Sequence, residues 1–292
     1  MADLEPVHFF DITSTFPGLF LKSNKPNTTA KKNTNNNTNT NTGALKSWSP
    51  NTLKVRTALN FKKIPYTQSW VSYPDIAPLI KGLGVEPNAT GTRYTLPAIV
   101  HKSITSNPNN AMMDSLPIIE HLDKLFPEHP LFPSGEVSYS LCIAVNRLSL
   151  RLGPAIRSLL IPSVPNHLDP RGQEYFIRTR SEAYGKPLTE VRPTDEGEIA
   201  ALLEELQKEL KGIITVLKGR EGKKGPFFEG ETAGYVDLNF VCYLAFFHRF
   251  DRGLWEKLVA EGEGELLALW NACLPWLEGQ GEEKEWPIPE DV

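Results

Sequence analysis

The chain has 292 residues, is 40 % hydrophobic and carries a formal net charge of −4. That length suits about two domains with real cores, and the charge gives no general affinity for nucleic acid. No run of 18 apolar residues occurs, so no membrane span is expected.

The opening MADLEPVHFF lacks a basic region followed by a long apolar stretch, so no secretory signal is expected. Cys142, Cys242 and Cys273 are few, odd in number and far apart, and no CxxC occurs. That pattern points away from a disulfide framework and toward a reducing, cytoplasmic location. The six histidines (His8, His101, His121, His129, His167 and His248) form no HxH or HxxxH pair, so no metal site is expected. His121 reads as an ordinary half-exposed helix residue.

VHFFDI (7–12) is short, β-branched and aromatic and reads as a buried first strand. Residues 22–46 are rich in Asn, Thr and Lys, with five lysines and no acid. Such a stretch buries too little apolar surface to offset the entropy of ordering it, and it reads as a solvated insertion. A helix is predicted from Pro50, with Leu53, Val55, Ala58, Leu59 and Lys62 near one face. Pro50 suits the first turn, where its missing N–H costs nothing.

A second strand follows at 64–71, and a short proline-interrupted helix at 75–84. YTLPAIVHK (94–102) reads as a third strand with a proline at its entry, and a turn then leads to another short strand. A helix over 114–126 is predicted to be capped by Ser115. The proline-rich stretch 127–135 reads as a hinge. Beyond it all segments are helical, near 137–160, 171–190, 195–218, 235–250 and 264–278. The fold expected is α/β plus all-α: a βαβαββα domain over 1–127, then a helical bundle over 137–292.

Three features can meet at one edge of such a sheet. Ser49 stands before the first helix, where backbone N–H groups and the helix dipole favour negative charge. A serine hydroxyl there can donate to a thiolate and lower a thiol's pKa from roughly 8.5. A shift of about two units stabilises the anion by roughly 2.7 kcal/mol. A cis bond before Pro97 would free the Leu96 backbone to pair with an extended ligand. Asp114 and Ser115, at a helix start, offer an amine partner and a carboxylate cradle. Each feature alone also reads as plain structure: Ser49 and Asp114-Ser115 as helix caps, Pro97 as a trans proline at a strand edge.

Taken together, SPNTLKVRTAL (49–59), TLPAIV and DSLPIIEHLDKLFP resemble the serine-type glutathione transferases, which pair a thioredoxin-like domain with an all-helical one. EYFIRTRSEAYGKPLTEV (174–191) and SPNTLKVRTALNFKKIPY are similar to the fungal etherase-like (fungal-A) class. The resemblance implies that Ser49 contacts the glutathione thiol, with Asn51 as helper. It implies that Leu96, at the Pro97 turn, binds the cysteinyl backbone, and that Asp114 and Ser115 bind the γ-glutamate. GYVDLNF (234–240) is similar to the capping box of the second domain, with Gly234 in place of Ser or Thr and Asp237 kept. His121 stands where many members have tyrosine, and the insertion departs from the family pattern.

Phe16, Trp48, Tyr139 and Leu141 are candidates to line an electrophile pocket, though each taken singly suits core packing better. Arg178 and Arg180 read as surface or helix-pairing charges. The function implied is glutathione-dependent attack on hydrophobic aromatic electrophiles or aryl ethers, in detoxification, by a homodimer that uses glutathione as co-substrate, with no metal, nucleic acid or membrane partner. Two alternatives share the fold: a ligandin-like protein that only binds hydrophobic molecules, and a regulatory protein whose Asn/Thr tract drives self-assembly.

Overall fold

The apolar run Val7–Ile12 forms β1, buried along its whole length because other elements cover both its faces. A computed structural model describes residues 6–15, 47–277, 279 and 281–289; the Asn/Thr/Lys tract and Phe16 lie outside these. After β1 come α1 (Pro50–Phe61), β2 (Tyr66–Val71), a 3-10 turn (Tyr73–Asp75) and α2 (Ile76–Gly82). Then follow β3 (Ala98–Val100), β4 (Ala111–Met113) and α3 (Ser115–Leu125). β5 (Glu282–Glu283) comes from the end of the chain, and the strand order is β4-β3-β1-β2-β5.

Register decides where the candidate residues fall. β1 runs parallel to β2, with Val7 opposite Tyr66 and Ile12 opposite Val71. It runs antiparallel to β3, with Phe10 opposite Ala98. Since β2 starts at the Val7 end, α1 must finish there and begin at the opposite end, near Ile12. Pro97 precedes Ala98 and so lies at that same end of the sheet.

The single apolar face read for α1 understates its burial, because every residue from Thr52 to Leu59 is buried. The sheet covers one side and the helical domain the other. Two cations of this helix are therefore inside the protein with partners. Arg56 donates to Asp11 Oδ2 through Nη2 (2.8 Å) and to Gln68 Oε1 (2.8 Å), and neither Arg56 nor Asp11 has any exposed side-chain surface. Lys62 bonds Asp123 Oδ1 (2.7 Å) and the carbonyls of Glu128 and His129. Removing one partner from such a pair strands a buried charge at a cost of about 3–5 kcal/mol.

The helical part comprises α4 (Glu136–Leu150), α5 (Gly153–Leu159), a 3-10 segment (Ile161–His167), α6 (Pro170–Tyr184), α7 (Glu196–Lys218), α8 (Tyr235–Phe250), α9 (Arg252–Val259) and α10 (Glu265–Leu277). The stretch expected as one helix near 137–160 divides before Gly153-Pro154. The one expected over 171–190 stops at Tyr184, since Pro187 has no N–H to continue it. The α9 helix was not expected; Asp251 opens it by accepting the Leu254 N–H (3.0 Å). Ser115 does not cap α3: it is the first helical residue, Asp114 is the cap position, and no side-chain cap bond is made.

At the start of α8, Asp237 accepts the N–H groups of Gly234 and Phe228, each at 2.8 Å. Burial raises its carboxyl to about 7, opposed by those N–H groups. A Cβ on Gly234 would meet Pro133 Cδ at 3.1 Å and the Leu131 carbonyl at 3.2 Å, so the 127–135 connector takes up the space a serine or threonine would need.

The tail was not expected to join the sheet. Lys284 N–H bonds the Gln68 carbonyl (2.8 Å) and Ser69 Oγ donates to the Lys284 carbonyl. Trp286 packs on His8 (4.5 Å between ring centres) and on Phe10 (5.2 Å). Since the Ser69 hydroxyl donates to Lys284, its oxygen accepts from His8 Nε2–H (2.9 Å), leaving Nδ1 to accept from Thr67 (2.7 Å). Burial, with Lys284 adding, pulls His8 down to about 4.

Replacing Asp237 with alanine leaves two buried N–H groups without acceptors. It is expected to cost about 2–5 kcal/mol in denaturant unfolding; a loss below about 0.5 kcal/mol would contradict this role. The sign for His8 follows from its lowered pKa. As pH falls from about 6.5 to about 4, the unfolded chain takes up a proton that folded His8 refuses, so the contribution of His8 to stability falls. Exchange protection of the Lys284 amide should drop over that range, and replacing His8 with glutamine should flatten the drop. Protection that does not change with pH would refute the link between His8 and the tail.

Candidate active site

Ser49 occupies the N-cap position of α1 with extended backbone (φ −66°, ψ 127°) and is 7 % exposed. Its carbonyl accepts from the Leu53 N–H (2.9 Å), as a helix start requires. Its hydroxyl makes no capping bond and is not spent on any other group among the described residues. The purely structural role for this serine therefore does not describe its side chain. Pro50 is the first helical residue, and Asn51 is exposed at the mouth.

The Leu96–Pro97 peptide bond is cis. The Leu96 N–H and carbonyl enter neither the ladder of β3, which starts at Ala98, nor any other backbone bond among the described residues. The turn is tied to α3, since the Asp114 N–H bonds the Pro97 carbonyl (3.1 Å) and Thr95 Oγ1 donates to Asp114 Oδ1 (2.8 Å). Asp114 holds φ at +73°, a conformation sparsely populated by residues other than glycine. It turns the chain sharply into α3, so the first N–H groups of that helix face outward with no acidic side chain in the first turn. The Tyr235 phenol, buried at the start of α8, abuts Ser115.

Ser49, Asn51, Leu96, Pro97, Asp114 and Ser115 thus share one end of the sheet. The arrangement offers a free hydroxyl at a helix mouth, a free backbone pair in extended form, and a carboxylate beside unpaired helix N–H groups. Among the described residues no group of three His, Cys, Asp or Glu side chains could hold a metal ion, and no helix is long and apolar enough to cross a membrane.

The electrophile candidates fare differently. Trp48 is 3 % exposed and packs on Phe250 (5.6 Å between ring centres), Phe246 (6.1 Å) and Tyr73 (6.4 Å). It fills the seam between the domains behind Ser49 and forms no open wall. Tyr139 packs on Phe132 (5.4 Å), and an interaction with Glu120 raises its pKa. With Glu120 and Asp123 it lines a hollow of about 470 Å³. Asp123 is bonded to Lys62 at the far end of α1, about 20 Å along the axis from Ser49. Tyr139 therefore does not belong to a pocket at Ser49, because α4 starts at the opposite end of the sheet. Leu141 packs against the core, and Phe16 lies outside the described residues. Arg178 pairs with Glu182 one turn on (3.6 Å), while Arg180 lies over the Phe176 ring (4.6 Å). His121 Nε2 bonds Ser103 Oγ (3.0 Å), far from Ser49.

Sequence reading missed Thr95, Tyr235 and Lys54. Thr95 and Tyr235 act by gripping Asp114 and Ser115, a long-range relation with no local signal. Lys54 lies off the apolar face read for α1, yet it is 7 % exposed and donates to Asn51 Oδ1 (3.3 Å).

Comparison with known proteins shows the family. Residues 48–125 match the glutathione S-transferase N-terminal domain, and residues 145–276 match its C-terminal domain. The chain is 48 % identical over 289 residues to the glutathione S-transferase-like protein ustS of Aspergillus flavus, covering 98 % of this chain and 96 % of that protein. It superposes on the glutathione S-transferase CsGST63524 of Ceriporiopsis subvermispora, solved in complex with glutathione, with a TM-score of 0.73 and 27 % identity over 93 % of this chain and 97 % of that one. The glutathione transferase GSTFuA3 of Phanerochaete chrysosporium gives a TM-score of 0.72 at 25 % identity, covering 94 % and 98 %. The chain belongs to the glutathione S-transferase family.

Proposed function

We propose that this glutathione transferase works through Ser49: the hydroxyl donates to the glutathione sulfur, holds it as a thiolate, and the thiolate attacks carbon in a hydrophobic aromatic electrophile or aryl ether. The observation that carries this reading is the hydroxyl at the mouth of α1, buried yet free of any capping bond. Serine's own pKa is too high for it to act as a base, so its contribution is electrostatic. The N-terminus of α1 adds to the same field.

In this reading the cysteinyl backbone pairs with Leu96 as a short added strand. The γ-glutamyl carboxylate lies on the Ser115 and Leu116 N–H groups and its ammonium meets Asp114. The electrophile enters where the segment after β1 meets the 3-10 segment of the helical domain. There the Thr15 N–H bonds the His167 carbonyl (2.8 Å), and the His167 and Phe250 rings pack at 5.5 Å. Attack forms a C–S bond while the leaving group departs with the electron pair of the broken bond. We place pairing with a second copy in the same proposal, since Val137 and Leu150 leave apolar surface exposed on α4.

Replacing Ser49 with alanine is expected to lower kcat/KM at pH 7 on the order of 100-fold, the size of losing one preorganised donor to a developing or resident anion. Glutathione affinity should change less than about tenfold, because the backbone and γ-glutamyl contacts remain. An unchanged rate would move the role to Asn51.

A further inference from the structure

Three cations of α1 and its C-terminal cap are buried: Lys54, Arg56 and Lys62. Arg56 meets Asp11 and Lys62 meets Asp123, each within 2.8 Å. Among the described residues Lys54 meets no carboxylate within ion-pair distance. Its ammonium donates to Asn51 Oδ1 (3.3 Å) and lies 5.0 Å from the centre of the Tyr243 ring. The titratable groups facing it are Cys142 of α4 and Cys242 and Tyr243 of α8. Burial pushes the Cys142 thiol up to about 11 and Cys242 up to about 12, so neither supplies a negative charge at neutral pH.

An ammonium only donates. The Asn51 amide oxygen must therefore face Lys54, and its NH2 must face away, outward at the exposed mouth of α1, where it has no partner among the described residues. A buried charge without a counter-ion among the described residues is costly, and this one lies five residues along the helix from Ser49, about 8 Å along the axis. We propose that Lys54 is a positioning residue for the thiolate: it locks the Asn51 amide with its NH2 toward the sulfur and supplies the positive charge whose counter-ion is the bound sulfur anion. The proposal rests on the reading that glutathione's sulfur lies at Ser49. It assigns Asn51 the second donor and explains why the oxygen of that amide cannot turn to repel the anion.

At an effective dielectric constant of about 20, a unit charge at about 8 Å is worth about 2 kcal/mol and shifts a thiol by about 1.5 pKa units. The test is a titration of the thiolate absorbance of bound glutathione in four proteins: wild type, Lys54→Met, Lys54→Arg and Ser49→Ala. Lys54→Met keeps the reach of the side chain and removes the charge, while Lys54→Arg keeps charge and donors. The bound thiol's pKa should rise by about 1.5 units in Lys54→Met and stay within a few tenths of wild type in Lys54→Arg. Affinity for S-methylglutathione, which has no thiol to ionise, should change less than about threefold in both.

A thiol pKa unmoved by Lys54→Met overturns the proposal. So does a loss of S-methylglutathione binding shared by the Met and Arg variants, which would make Lys54 a packing residue. Ser49→Ala separates this proposal from the reading it rests on. If that variant shifts the titration and Lys54→Met does not, the lysine proposal alone fails. If neither shifts it, the sulfur does not lie at Ser49 and both fail.

Discussion

A helix buried on every side must settle its polar groups internally, and α1 does so everywhere except at its mouth. Asp11, Gln68 and Asp123 take up the charges of Arg56 and Lys62. Thr57 returns its hydroxyl to the Leu53 carbonyl (2.9 Å). Asn60 reaches across to the Trp276 carbonyl (2.8 Å) and ties the helix to α10. With these bonds made, the axis of α1 is fixed against both the sheet and the helical domain. Its N-terminus then points at one place beside the cis-proline turn, and the free donors there are held in position before any ligand arrives.

The site is divided among elements that are rigid for different reasons. The Leu96–Pro97 turn is tied to Asp114 by Thr95 and by a backbone bond. Asp114 keeps a strained φ because β4 and α3 both constrain it. Ser115 is backed by Tyr235, which belongs to the helical domain, so both domains hold the start of α3 in place. Asp237 stabilises the start of the helix that carries Tyr235, and so supports that contact from a distance. The tail strand covers the open edge of β2 on the side away from the site, where an unpaired strand would invite association with other chains.

Much of this was legible in the sequence, because local chemistry carried it. Pro50 marked the start of α1, the apolar run at 7–12 marked a buried strand, and the leucine and isoleucine spacing marked α7. The cis-proline turn and the Asp114-Ser115 pair were found because each sits at an element boundary with few conformational options. What escaped was set by the tertiary fold. Lys54 has the ordinary sequence signal of a solvated lysine, and only the packing of α8 against α1 buries it. Tyr139 lies on α4, near enough in sequence to suggest a pocket, but the direction of that helix carries it to the opposite end of the sheet. Trp48 stands next to the serine, yet its ring faces the domain seam. The tail strand consists of two glutamates, which have no β-propensity of their own and pair because the edge of β2 is vacant.

The central claim is that a hydroxyl freed from helix capping receives the sulfur of glutathione. A crystal structure of the protein soaked with glutathione tests it directly. The account predicts sulfur within about 3.5 Å of Ser49 Oγ, with the cysteinyl backbone paired to Leu96. Sulfur lying away from Ser49, or a peptide that leaves the Leu96 backbone unpaired, would contradict it.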